Sequence, residues 1–541
     1  MTNARRVLAL VACLAAAAAV AKPPKLTVFI AVDSMGSDVF LRNKPRYKAG
    51  FDKVIREGAF FPVAKYDYAE TVTAAGHTTL STGANPWRHG VISNKVLNRA
   101  TGKLEPIFND PNHPVLEAPI GVEDSSPAAL KAETLSDRVA LFTQGKGKVV
   151  SVAGKARAAI AMGGKLGHAF WFSEATGKFV TGTYYLKELP TWVKQFDDKK
   201  PAEAWFGKEW ALLDQPKSYE GEDERVGESD WYGLGKKFPH PLSGGLPQPG
   251  PQSYSALASS AMFNELEVSF AKAAIDGESL GKDDVPDLLS VSFSSVDRTF
   301  HLWGPYSWEM QDQLARLDRA IADLIAAAEK AAGRGNVLVV ISADHGGANI
   351  PEQWAAAGLD AVRQSPVELE KGLDKELGQG KGGGGHFVSA IEETDVYLDL
   401  KAIADKKLDL AAVRRQAAAW LSKQPNVELA VSRDDLGGPD PSPGYLPALR
   451  AGYYADRSGD VLFVTRPFAV LEVEPAGTSH GTPYAYDNEV PAIFWGKNVR
   501  PGLYAGPIRT VDVASTAAAL MEIGEPAQSE GAAREAAISG K

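Results

Sequence analysis

Three short segments, far apart in the chain, carry side chains suited to metal ligation: Asp297-Arg298-Thr299-Phe300-His301, Asp344-His345-Gly346 and Ser479-His480-Gly481. A fourth ligand type, Asp33, directly follows an apolar run near the N-terminus. Imidazole and carboxylate together suit borderline-soft divalent metals, and calcium is a poorer match to so imidazole-rich a set. Three carboxylates and three imidazoles suffice for two adjacent ions if each keeps a position open to substrate. That is the profile of a hydrolase.

The segment from Glu70 to Gly83 runs from a strand-like end into a short helix, and Thr73 stands where an N-cap would stand. A hydroxyl there faces backbone amides and the positive helix end, which suits an anionic transition state. Alone it reads as a capping threonine; beside a metal its pKa falls and it becomes a nucleophile. Thr71 is the second candidate. Lys155 and Arg157 lie just past a strand-like run, and in an extended segment residues two apart point the same way, so both cations could reach one anion. Without a site nearby the same pair is a solvated basic loop.

Elements that could position these residues are legible. Lys25 to Val32, Lys148 to Val152, Leu288 to Phe293, Val337 to Ile341 and Val490 to Trp495 are apolar runs with the character of buried strands. Leu314, Leu317, Ile321, Leu324 and Ile325 are spaced as one helix face, and Asp512 to Glu522 is a final amphipathic segment. The alternation predicts an α/β fold with a central, largely parallel sheet covered on both faces by helices. Two regions break it. Residues 175–255 lack a clean period, and their tryptophans read as packing residues. Residues 350–475 contain the glycine run Gly382 to Gly385, a helical stretch near Leu408 to Leu421 and a hairpin-like segment near Asp460 to Val464. Both regions read as insertions that could roof a site. The glycine run reads as a flexible loop, since no P-loop lysine-serine pair follows it.

With 44% hydrophobic and 23% charged residues the composition is that of a soluble globular protein. A formal charge of −9 argues against nucleic acid as a partner, but not against a small phosphorylated substrate met locally by metal. Residues 1–21 read as a cleaved signal peptide: Arg5-Arg6, the apolar run Val7 to Ala19, then Ala19-Val20-Ala21. Its loss takes the charge to −11 and leaves a periplasmic or secreted chain with no transmembrane segment. Leu10-Val11-Ala12-Cys13 offers lipid anchoring through Cys13 as the minor alternative. Cys13 is the only cysteine, so thiolate zinc sites, cysteine nucleophiles and sulfatase chemistry on an oxidised cysteine are excluded.

Asp33, Thr73 with Gly76-His77, Pro86-x-x-His89-Gly90, Asp297-x-x-x-His301, Asp344-His345-Gly346 and Ser479-His480-Gly481-Thr482 resemble, in order and context, the alkaline phosphatase superfamily. Asn94 and Lys155-x-Arg157 resemble the phosphate-binding set of its bacterial phosphate-irrepressible members with a threonine nucleophile. The resemblance spans nearly the whole chain beyond the leader and implies one catalytic domain, residues 22–541, with an alkaline-phosphatase-like sheet. It assigns one zinc ion to Asp297, His301 and His480. The other goes to Asp33, Asp344 and His345, with Thr73 as the reacting ligand. It implies hydrolysis of phosphate monoesters through a phosphothreonine; the phosphodiesterase/nucleotide pyrophosphatase branch, which characteristically lacks the cation pair, is the alternative. Compared with the enterobacterial enzymes, threonine replaces serine and no third, magnesium site is evident. His77 and His89 read as structural hydrogen-bonders; His113, His168 and His240 lack ligand context, and His386 could reach the site only if the glycine loop folds inward.

Overall fold

The computed structural model describes residues 22–119, 123–379, 386–439 and 444–540. Residues 1–21, the expected leader with Cys13, and the glycine run lie outside the described residues. A ten-stranded sheet forms the centre. Its main strands are β1 (Leu26–Val32), β2 (Ala59–Lys65), β3 (Val149–Ala153), β4 (His168–Ser173), β5 (Lys178–Val180), β6 (Asp287–Phe293) and β7 (Val337–Ser342). A second sheet contributes β8 (Val388–Glu392), β9 (Asp395–Leu398), β10 (Val427–Ser432) and β11 (Val461–Thr465) before β12 (Glu489–Gly496) returns to the first.

Across the central sheet the order is β2-β12-β7-β1-β6-β3-β4-β5, with short strands at Gly502–Leu503 and Ile508–Arg509 pairing with β2. β7, β1, β6, β3 and β4 are mutually parallel, whereas β12 runs against both its neighbours and β5 against β4. The expected parallel sheet is thus present, but the run at Val490 to Trp495 forms an antiparallel strand within it. Every residue of β1, β6 and β7 is buried, as helices on both faces require.

The helices that matter here are α1 (Thr73–Thr82), α2 (Ala156–Gly163), α3 (Met262–Gly277), α4 (Ser295–Trp303), α5 (Trp308–Ala332), α6 (Pro366–Gly378), α7 (Leu410–Leu421) and α8 (Val511–Leu520). α5 buries the predicted face Leu314, Leu317, Ile321, Leu324 and Ile325 and starts at Ser307, whose hydroxyl accepts from Met310 N. Among the described residues no helix is long and apolar enough to cross a membrane.

The two irregular regions differ. Most of 175–255 is loop packed on the main core: Trp210 is buried among Phe238, His240 and Trp303, and its indole donates to Asp312. Residues 350–475 instead build the second sheet, ordered β8-β9-β11-β10, with α6 and α7 closing a core of its own around Leu373, Val396, Leu421 and Phe463. The Asp460 to Val464 run is not a local hairpin. It is an inner strand that pairs with the distant β9 and β10, a partnership no local pattern encodes.

One contact ties α1 to the sheet. A Cβ built on Gly76 would lie 2.1 Å from the carbonyl oxygen of Asp344, so only glycine lets α1 seat against the strand end of β7. Alanine normally stabilises a helix interior by about 1 kcal/mol relative to glycine. Here Gly76→Ala is expected to lower stability by about 1–3 kcal/mol through forced backbone movement. The urea midpoint measures it; an unchanged or raised midpoint would refute this packing.

Candidate metal and phosphate site

The parallel strands deliver their C-terminal ends to one edge, and the ligand candidates sit there. Asp33 directly follows β1, Asp344 and His345 follow β7, and Asp297 and His301 lie on α4 just after β6. His480 comes from the loop before β12. β1 lies between β6 and β7, which are reached by different connections, so this edge is a topological switch point.

The three imidazoles are oriented alike. Nδ1 of His301 lies 2.7 Å from Thr478 O, Nδ1 of His345 2.8 Å from Gly346 O, and Nδ1 of His480 2.9 Å from Thr71 O. Each carbonyl accepts a hydrogen bond from Nδ1–H, which leaves each Nε2 with its lone pair facing inward, as metal-binding histidines require. His345 Nε2 stands 3.3 Å from Asp344 Oδ2 and 3.5 Å from Asp33 Oδ1. Around Asp297 Oδ1, Nε2 of His301 is at 3.4 Å and Nε2 of His480 at 3.6 Å. Donor atoms about 2.0–2.2 Å from one tetrahedral ion are spaced about 3.3–3.6 Å apart, the range of these imidazole–carboxylate separations, and Asp297, His301 and His480 converge within 4.8 Å of one another. Among the described residues, Asp33 Oδ1, Asp297 Oδ1 and His345 Nε2 are buried without a hydrogen-bond partner, which metal ligation would satisfy. Asp33, Asp297 and His345 also converge within 4.8 Å, and the His345 and His480 rings stack at 3.7 Å, so the two groups are one cluster.

Its electrostatics point the same way. Burial and the Asp344 charge push Asp33 well above the usual carboxylate range, with Lys155 opposing them. For Asp297, burial is outweighed by His301 and Lys155, and the group is held well below that range. Asp344 is likewise lowered, burial being outweighed by His345 and His77. Three buried carboxylates around one ammonium are short of positive charge, which divalent cations bound there would supply.

Thr73 is buried and opens α1, with Val72 as the N-cap; it is the first helical residue rather than the cap. Its Oγ1 lies 3.4 Å from Lys155 Nζ. Asn94 Oδ1 accepts from Ala74 N at 3.0 Å, which fixes the amide so that its NH2 group is left for another acceptor. Thr71 is turned elsewhere: its hydroxyl donates to Thr482 O at 3.1 Å. Lys155 does not lie in an extended stretch with Arg157. It caps α2, and Arg157 falls in the first helical turn, because the alanine-rich segment after it is strongly helix-forming. The two cations still meet, at a helix N-terminus that itself attracts anions. Lys155 Nζ sits 2.6 Å from Asp33 and 2.5 Å from Asp297, and Arg157 Nε is buried without a partner among the described residues. Asn94, Lys155 and Arg157 line a cleft of about 410 Å³ together with Trp171, Phe172 and Arg298.

The other histidines stay out of the ligand shell. His77 is nonetheless close: Nδ1 donates to Thr73 O at 2.9 Å and stands 3.0 Å from Asp344 Oδ2, and Nε2 lies 2.7 Å from Ser292 Oγ, so it ties α1 to β6 beside the cluster. His89 bonds Thr79 and Val91 N, His113 pairs with Asp110, His240 with Glu309, and the exposed His386 with Asp374, away from the cluster. His168 opens β4. Sequence reasoning missed Arg298, which reaches the cleft and pairs with Glu174, although it adjoins Asp297. It also missed Glu70, buried three residues before Thr73.

Comparisons with known proteins identify the family. The profile of the type I phosphodiesterase/nucleotide pyrophosphatase family matches residues 27–483. The chain is 33% identical over 522 residues to alkaline phosphatase PafA of Elizabethkingia meningoseptica, covering 94% of this chain and 93% of that one. It is 31% identical over 515 residues to alkaline phosphatase PhoV of Synechococcus elongatus, covering 94% and 92%. The crystal structure of wild-type PafA superposes with a TM-score of 0.88 at 32% identity over 96% of this chain and 99% of that one. Murine ectonucleotide pyrophosphatase/phosphodiesterase 5, at 13% identity and a TM-score of 0.52, covering 92% and 95%, shares the fold. With its sheet, its strand-end ligand candidates and these relatives in agreement, the chain belongs to the type I phosphodiesterase/nucleotide pyrophosphatase family, within the alkaline phosphatase superfamily.

Proposed function

We infer that residues 22–541 form one catalytic unit, an exported, metal-dependent phosphomonoesterase that releases inorganic phosphate from small organic esters. The observation that carries this reading is the meeting of Asn94, Lys155 and Arg157 beside Thr73, next to the carboxylate–imidazole cluster. A monoester bears two charges on its transferable group and gains from two cations there; a diester bears one. The relatives named alkaline phosphatase support the same choice. A PafA variant whose crystal structure is known carries substitutions at a threonine, an asparagine, a lysine and an arginine, the residue types and order of Thr73, Asn94, Lys155 and Arg157. Export rests on the leader-like residues 1–21.

The donor set fits two zinc ions, one held by Asp297, His301 and His480, the other by Asp33, Asp344 and His345 with Thr73 Oγ1. Zinc bound there would supply Lewis acidity, lowering the hydroxyl pKa and neutralising charge on the attacking and leaving oxygens. Thr73 Oγ1 attacks phosphorus while the bond to the alcohol oxygen breaks, giving a phosphothreonine and the free alcohol. Lys155, Arg157 and the Asn94 NH2 group hold the non-bridging oxygens, and the N-termini of α1 and α2 add positive potential. Water then hydrolyses the phosphothreonine, restoring Thr73 and releasing phosphate, with net retention at phosphorus.

Four outcomes test this reading. p-Nitrophenyl phosphate should be turned over far faster than methyl p-nitrophenyl phosphate, and a preference for the diester would favour the phosphodiesterase alternative. The Lys155→Ala/Arg157→Ala double variant should lose about a hundredfold or more in monoesterase kcat/KM but much less in diesterase kcat/KM, whereas equal losses would contradict the role given to the pair. Thr73→Ala should cut kcat by about three orders of magnitude or more without changing metal content; an unaffected rate would move the nucleophile to Thr71 or to water. Protein stripped by a chelator should be inactive and regain its rate with zinc but not calcium. Activity persisting in protein shown to be metal-free by elemental analysis would remove the metal from the account.

A further inference from the structure

The second sheet does more than roof the cleft. Its β8–β9 hairpin turns through two residues, Glu393 and Thr394, and both reach segments that carry the site. Thr394 is nearly fully buried, and its hydroxyl donates 2.9 Å to Oε2 of Glu70, itself buried three residues before Thr73. Glu393 adopts φ +49°, a left-handed conformation that glycine or asparagine fills more readily in such turns. Its carboxylate lies over Gly481, next to His480: a Cβ built there would stand 3.2 Å from Glu393 Oε2. Gly481 has φ +110°, so the loop passes under the carboxylate only because that residue is glycine. The two segments touched by the turn are also bonded to each other, through Thr71 Oγ1 to Thr482 O and His480 Nδ1 to Thr71 O.

A glutamate kept at an unfavourable φ is a local cost that the packing around it sustains. We propose that Glu393 and Thr394 are positioning residues for the reaction: the turn braces the Glu70–Thr73 segment and the His480 loop against each other, holding Thr73 Oγ1 in register with the imidazole. The second sheet is then part of the reaction frame, since β9, which carries the turn onward, is paired to β11 in its interior. Displacements of about 1 Å at a reacting group cost up to about a hundredfold in rate, so a loosened brace registers in kcat before it registers in binding.

This proposal rests on Thr73 being the nucleophile, and the wild-type enzyme is its control: if zinc-loaded wild type hydrolyses no ester, the functional reading fails, not the brace. With active wild type, Thr394→Val removes the donor to Glu70 at nearly constant volume. It should lower kcat for p-nitrophenyl phosphate by about tenfold with KM and bound zinc unchanged, and Thr394→Ser should recover the rate to within about threefold. Glu393→Asn relieves the left-handed residue while withdrawing the carboxylate, so Tm should hold or rise while kcat falls. Full activity in both Thr394→Val and Glu393→Asn would overturn the proposal. So would losses of kcat that merely follow a lower Tm, without rescue by serine.

Discussion

Putting three carboxylates side by side in a protein interior is the constraint on which the rest of this structure depends. Asp33, Asp297 and Asp344 are all buried, and the permanent cation in contact with two of them is Lys155. Like charges withdrawn from water repel and lose hydration together, so such a cluster is stable only with further positive charge at its centre. The surroundings are arranged for that charge. Three histidines donate hydrogen bonds from Nδ1–H to backbone carbonyls and turn Nε2 inward, and the donor spacings match a metal shell rather than hydrogen bonds.

The fold meets this constraint by separating rigidity from chemistry. β1, β6 and β7 are paired in register and buried along their full length, so their ends are fixed relative to one another. Asp33 and Asp344–His345 come directly after two of those ends and Asp297 and His301 on the helix after the third, while Thr73 and His480 arrive on other segments. Two helices then start at the same edge, α1 at Thr73 and α2 after Lys155, and direct their positive ends to one region. Lys155 stands between Thr73 and the carboxylates, 3.4 Å from Thr73 Oγ1, 2.6 Å from Asp33 and 2.5 Å from Asp297, and it lines the adjoining cleft with Arg157 and Asn94.

How much of this could be read from residues alone follows from what each residue's role depends on. The strands were legible because burial on both faces writes itself as an unbroken apolar run, and Asp33, Asp297 and Asp344–His345 because each follows such a run within a few positions; His480, in the loop before β12, was legible only from its residue type and neighbours. Helix α5 was legible from its 3.6-residue period. The helical start at Lys155-Ala156-Arg157 was misread as extended, since one strand ends and a helix begins within three residues and the alanines carry no periodic signal. The hairpin-like reading near Asp460 to Val464 fails because the partners of β11 lie in β9 and β10, tens of residues away in sequence. Glu70, Glu393 and Thr394 gave no signal: their importance lies in whom they meet, which only tertiary structure decides. Arg298 was within reach, beside a ligand candidate, and His77, one helical turn after Thr73, is the structural hydrogen-bonder its segment suggests.

The measurement that bears most directly on the central claim is anomalous diffraction at the zinc absorption edge from crystals of the zinc-loaded protein. The account predicts two peaks about 4 Å apart, one bounded by Asp297, His301 and His480 and the other by Asp33, Asp344 and His345, with Thr73 Oγ1 beside the second. A single peak, or ions bound away from these six side chains, would contradict it.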